Sequence, residues 1–424
     1  MRTPLRAVAP SDKVVVGIMG VGARGAYLTQ LFAQRPDVEI AYVCDVDDRK
    51  AALAAKAVQN TKGKPPALVG SFEHILEDNE VNALVCATPD HWHSLATVLA
   101  CQVGKDVYVE SPASHNIWEG RKMVQAARKY NRVVQVGMQD RSASYAATAR
   151  QLIQSGELGT VHLASVYNMM SRAPLQKTPD SLPPEGFDWA MWLGPAAKRP
   201  YNPKYFHWVY WDFSGGNLTE EGVHQLDLAR WVMGASYPNS VHHTGGKFFF
   251  KDGAETPDTS LVTYAYDGLT LNFQQAWWTP YMAKSPDNVR ESTTKFPDWY
   301  PFSGTRTEIY GSDGMMILGR DGGGWQQFDR EGRKVASDKQ TFAAMQAAHI
   351  DNFISCVRSR KRPNADVEDG HISAALCHMA NISYRVGDRK LVFDSASETF
   401  GRDNEANHYL RRTYREPWVI PENV

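Results

Sequence analysis

Between Lys13 and about Tyr145, short apolar runs alternate with amphipathic stretches of helical length. The runs cover residues 14–19, 39–44, 83–88, 106–110 and 133–137. Runs this short and this evenly apolar predict strands covered on both faces. The clearest helix spans 116–130, where Asn116 followed three residues on by Glu119 predicts a capping box. Strands alternating with helices predict a parallel, doubly wound sheet.

After Gly156-Glu-Leu-Gly159 the pattern changes. Strands expected at 161–167, 241–250, 260–266 and 269–277 are longer and alternate apolar with polar, and the Asp267-Gly268 turn joins two of them. That pattern predicts a large, mainly antiparallel sheet with one open face. A long insertion, 171–240, separates the first two of these strands and holds one good helix. Two further helices are expected at 343–357 and 368–386. The expected organisation is an N-terminal extension (1–12), a Rossmann domain (13–145), an α+β substrate and oligomerisation domain (146–400) and a C-terminal arm (401–424).

Composition narrows the partners. A chain of 424 residues is long enough for two cores. Its 46 basic and 47 acidic residues nearly cancel. It therefore has no basic field for nucleic acid or an anionic membrane. No apolar run reaches membrane-span length. Arg2 and Arg6 are not followed by an apolar core, so the N-terminus is not a signal peptide as written. The five cysteines are widely spaced and read as buried thiols rather than a disulfide or metal framework. His91 and His93 lack a third ligand nearby, so no metal is expected.

The first chemical motif is Gly20-Val-Gly22-Ala23-Arg24-Gly25, set between a strand and a helix. Asp45 closes the next strand. Glycines allow the tight turn and a close backbone approach to a pyrophosphate, and the helix N-terminus supplies amide donors. The carboxylate accepts from the adenosine ribose hydroxyls. A carboxylate at that position repels a 2′-phosphate, although Arg49 offers some countercharge, so NAD is expected ahead of NADP.

Several motifs resemble one family over nearly the whole chain. They are Gly20–Gly25, Ala87-Thr-Pro-Asp-His-Trp-His93, Glu110-Ser-Pro112, Trp189-x-x-Trp192-Leu-Gly-Pro195, Gly215-Gly-Asn-Leu-Thr-Glu-Glu-Gly-Val-His224 and the closing Tyr414-Arg-Glu-Pro-Trp418. The family is that of glucose–fructose oxidoreductase, inositol dehydrogenase and the rhizopine-catabolism proteins (Gfo/Idh/MocA). The resemblance implies that Thr88, Pro89, Asp90 and His93 run along the cofactor and that Glu110 faces it. It also implies a carbohydrate substrate and a homodimer or homotetramer formed through the open sheet face; the closing segment is similar to exported members, and an exported and a cytoplasmic location both stay open.

Two departures touch the chemistry. The family's Glu-Lys-Pro motif has its lysine replaced by Ser111, which offers a hydroxyl but no charge. The aspartate usually found four residues before the helix histidine is Glu220, ahead of His224. On a regular helix that spacing puts Glu220 beside His224, where a carboxylate would orient an imidazole acting as acid or base on a secondary alcohol. Trp192, Tyr205, His207 and Trp211 are expected to join His224 around the sugar, whose flat C–H faces pack on rings. The first reading is an NAD-dependent sugar oxidoreductase. The second is an NAD-retaining glycoside hydrolase, and the third a silent binding protein in which Ser111 marks lost activity.

Overall fold

The structure, a computed structural model, describes residues 13–300 and 302–424; the expected extension at 1–12 lies outside them. The first sheet contains β1 (Val14–Met19), β2 (Val38–Cys44), β3 (Ala67–Val69), β4 (Ala83–Cys86), β5 (Asp106–Val109) and β6 (Val134–Val136). All are parallel, in the order β3-β2-β1-β4-β5-β6. This is the doubly wound dinucleotide-binding order, whose chain reversal falls beside β1. Strand β3 carries too little pattern to be read from sequence, having three residues and none buried.

The second sheet has nine strands. They are β7 (Val161–Met169), β8 (Ser240–Gly246), β9 (Thr259–Tyr266), β10 (Leu269–Ala276), β11 (Arg306–Gly311), β12 (Gly314–Gly319), β13 (Gly324–Asp329), β14 (Lys334–Asp338) and β15 (Leu391–Val392). Their order is β14-β13-β12-β11-β7-β10-β9-β8-β15. Every pair is antiparallel except β7 with β10. Parallel neighbours need a long crossover, and the insertion with its helix Val223–Met233 provides it. Strand β8 stops at Gly246, short of the expected 250, because the Asp258 carboxylate draws the chain away. It accepts from the amides of Phe248, Phe249 and Phe250 at 3.1, 3.0 and 2.8 Å.

The helix Phe342–Ser359, expected with the second domain, returns to the first. Its Ile350, Phe353 and Ile354 join Val14, Phe32 and Tyr108 in one apolar cluster. Burying a side chain as large as Phe353 contributes roughly 1.5–3 kcal/mol. Arg358 and Arg360 extend the attachment through ion pairs to Asp37 and Asp106.

The helix Ile117–Lys129 is capped by Asn116, whose Oδ1 accepts from the Glu119 amide at 2.9 Å. Glu119 does not complete a capping box. Its Oε1 accepts instead from Asn116 Nδ2, Arg412 Nε and the Tyr414 hydroxyl at 2.9, 2.8 and 2.9 Å. The C-terminal arm is thereby bound to its own body. Arg412 also donates to the carbonyls of His91 and Asp212, and Trp418 packs on Trp92. All five cysteines are buried free thiols. Among the described residues, no helix is long and apolar enough to cross a membrane, and no cluster of three or more His, Cys, Asp or Glu could hold a metal.

Candidate active site

A cavity of about 560 Å³ opens at the C-terminal ends of β1, β2, β4 and β5 and extends under the second domain. Its first wall is the turn after β1. Gly20 holds φ at +84°, and a Cβ there would meet the Ala87 carbonyl oxygen at 2.8 Å. A Cβ on Gly25 would fall on the Gly20 carbonyl. The fold itself therefore requires both glycines. Gly22 differs, because a Cβ added there meets nothing within 4 Å. It caps the helix Ala23–Ala33, whose first amides face the cavity mouth without a side-chain cap. Open space over free helix amides suits a pyrophosphate.

Asp45 lines the same cavity. One carboxylate oxygen accepts from the Val21 amide at 2.7 Å and the other from the Asp47 amide at 2.9 Å. Each oxygen keeps a lone pair for a ribose hydroxyl. Ala23, Thr88, Pro89, Asp90 and Glu110 also line the wall. These residues fit a bound dinucleotide: Gly22 and Ala23 for the pyrophosphate, Asp45 for the ribose. Arg24, also expected to touch cofactor, is held by Glu110 at 2.9 Å and Gln346 at 3.1 Å. Burial pushes the Glu110 carboxyl up, but Arg24 outweighs it and holds Glu110 below its ordinary range.

His93 sits outside the cavity wall. Its two ring nitrogens lie 2.8 Å from the carbonyls of Pro112 and Thr88. It joins two cavity-lining loops from behind, so the expected cofactor contact is replaced by a supporting one.

The two domains meet at the catalytic candidates. Ser111 Oγ lies 3.0 Å from His224 Nε2, and both line the cavity. Burial, then the nearby Arg320 charge, pushes the His224 imidazole down to about 4, against opposing pulls from Asp321, Glu221 and Glu110. His224 is therefore neutral at pH 7.

Glu220 does not support the His224 ring. Residues Leu218–Gly222 form a π-helical turn ahead of the helix Val223–Met233. Among the described residues Glu220 bonds other partners than His224, whose Nε2 faces Ser111. Glu220 accepts from Ser214 Oγ at 2.9 Å and meets the Asp90 carboxyl across the domain boundary. Glu221 and the His224 imidazole act on each other electrostatically. Glu221 pairs with Lys284 and, at 2.6 Å, with Arg320, which also bonds Asp321 at 2.8 Å. Glu221, Arg320 and Asp321 line the cavity, yet nothing in the sequence marked the last two, which lie 96 and more positions beyond His224 on the turn after β12.

An aromatic wall closes the far side. Trp192 stacks on Trp189 with ring centroids 4.7 Å apart and packs on Phe213 at 4.8 Å. Trp192, Tyr205 and His207 reach the cavity, as do Phe206 and Trp208. Trp211 does not. It lies against Tyr384 and Arg385 on the helix Val367–Arg385, and its carbonyl accepts from His115. The turn at Tyr210–Phe213 points consecutive rings in different directions, which residue type alone does not reveal.

Fold and site together define a two-domain protein with an NAD-binding Rossmann domain. The chain belongs to the Gfo/Idh/MocA family. Residues 14–138 match its oxidoreductase family, NAD-binding Rossmann fold; 146–317 match the Gfo/Idh/MocA C-terminal domain; and 306–420 match the oxidoreductase family, C-terminal alpha/beta domain. The chain is 25% identical over 264 residues to 1,5-anhydro-D-fructose reductase of Ensifer adhaerens, covering 62% of this chain and 64% of that protein. It is 37% identical over 125 residues to a glycosyl hydrolase family 109 protein of Saccharopolyspora erythraea, covering 28% and 27%. The chain spans less than two thirds of the length of the curated relatives it matches. It shares its fold with the WlbA dehydrogenase from Bordetella pertussis, solved with NADH and UDP-GlcNAcA. That match has a TM-score of 0.65 and 19% identity, covering 90% of this chain and 99% of that one.

Proposed function

We propose that the protein oxidises or reduces a sugar, sugar derivative or polyol at a secondary carbinol carbon, with His224 as acid and base. The observation that carries this reading is the 3.0 Å contact between Ser111 and His224 in a cavity shared with the glycine turn. Bound NAD supplies the hydride acceptor or donor there. The chain's own residues manage the proton. Neutral His224 accepts at Nε2 from the Ser111 hydroxyl while the Ser111 oxygen takes the proton of the substrate hydroxyl. A relay of that kind needs no charge on Ser111, so the absent lysine does not preclude it. Trp192 and Tyr205 offer ring faces to the sugar. Formation of NADH on a panel of sugars and polyols tests the reading, and a panel without turnover overturns it.

The family 109 relative favours a second reading, an NAD-retaining glycoside hydrolase. That enzyme would release the aryl alcohol from aryl glycosides with no net NADH. The first reading expects the opposite in both respects.

A further inference from the structure

Asp90 begins the helix Asp90–Gln102 of the first domain, and Glu220 lies in the π turn of the second. Their carboxyl groups come into hydrogen-bonding contact at the cavity wall. No arginine or lysine bonds either of them among the described residues. Ser214 donates to Glu220 Oε1 at 2.9 Å. Asp90 is only 4% exposed, and its Oδ2 has no hydrogen-bond partner. The other charged or titratable groups facing the pair are His93 beside Asp90 and Glu221 beside Glu220. Both ring nitrogens of His93 are turned to backbone carbonyls, and Glu221 is matched by Arg320 and Lys284.

Two carboxylates brought together away from water repel strongly unless a proton lies between them. One proton removes that repulsion and also satisfies the orphaned Asp90 oxygen. We propose that Asp90 and Glu220 hold one proton between them and act as a hydroxyl clamp that selects an uncharged polyhydroxylated substrate over an acidic sugar. Burial pushes both carboxyls upward; Asp90 raises Glu220 further, while the hydrogen bond from Glu220 draws Asp90 back down, as expected when Glu220 carries the proton and Asp90 accepts it. A singly protonated pair offers one donor and several acceptor lone pairs, which matches the dual character of a sugar hydroxyl. A substrate carboxylate would instead meet the negative charge that the singly protonated pair retains, and no cation bonds that pair among the described residues. The substrate half of this inference rests on the proposed function; the shared proton does not.

Infrared difference spectroscopy on the full chain at pH 7 tests the proton directly. The wild type is expected to show the C=O stretch of a protonated carboxylic acid. Asp140, pushed up to about 7 by burial and Asp321, contributes a band of its own, so the shared proton is read as the part of the intensity lost in both Asp90→Asn and Glu220→Gln, where a lone carboxyl facing an amide donor ionises. A wild-type spectrum without the band, or a band unchanged in both variants, overturns the shared proton. Selection is read from NADH formation on matched pairs: D-glucose with D-glucuronate, and D-galactose with D-galacturonate. The neutral sugar is expected to lead by at least roughly tenfold in kcat/KM, and the lead should collapse in the double variant. Preference for an acidic sugar overturns the clamp. Absence of turnover on all four overturns the sugar reading and the substrate half of this inference, while the infrared band still decides the proton.

Discussion

Ser111 Oγ and His224 Nε2 lie 3.0 Å apart, although 113 positions and a domain boundary separate them in the chain. The serine stands at the end of β5, where the family usually places a lysine, and the histidine on the helix that crosses back under the second sheet. His224→Ala is expected to lower turnover by about 10²–10⁴-fold, the usual cost of losing a general base. NAD affinity, measured by calorimetry, should barely change. Ser111→Ala should cost less, because a substrate hydroxyl could then reach Nε2 itself. Preserved turnover with a lowered Tm in His224→Ala would leave the histidine a structural residue only.

The pH dependence has a defined direction. Burial and Arg320 hold His224 down to about 4, so the base is competent above that value and is lost as pH falls through it. The acid limb of kcat/KM should lie near pH 4 rather than near the ordinary histidine value of about 6.5. Arg320→Gln removes a cation and should move that limb upward. A wild-type limb near 6.5 would show that the imidazole is not held in this environment.

Gly22 and Gly25 separate binding from folding. Gly22→Ala should preserve Tm, since its Cβ meets nothing within 4 Å, yet weaken NAD by filling the space over the helix amides. Gly25→Ala should lower Tm sharply, because its Cβ would strike the Gly20 carbonyl. Thermal melts paired with NAD titrations check both outcomes; equal Tm losses would refute the distinction.

Asp45→Ala should weaken NAD and reduce discrimination against NADP, because it removes the charge that repels a 2′-phosphate. Titration of both cofactors into wild type and variant reads this out. Equal affinity for the two in the wild type would contradict the role given to the carboxylate.

Arg412→Ala tests the arm. Glu119 is fully buried and would keep only Asn116 and Tyr414 as side-chain donors. Breaking a buried pair from one side costs about 3–5 kcal/mol, so a clear fall in Tm is expected. An unchanged melt would mean that the arm adds nothing to the body.

The sequence alone determined what depends on neighbours in the chain. Strand β1, the glycine turn, Asp45 and the Asn116 cap were all legible, because backbone preference and apolar period act over a few residues. The second sheet was legible in its first four strands. Strands β11–β14 were not, since glycines at 311, 314, 319 and 324 interrupt their pattern. The tertiary structure alone decided which side chains meet. It brought Ser111 to His224, set Arg320 and Glu221 near the imidazole, and turned Trp211 away from the cavity. It also paired Glu220 with Asp90 across the domain boundary, a contact that a spacing of four along one helix does not reveal. Contacts of that kind depend on where distant elements cross, and that is not written in local composition.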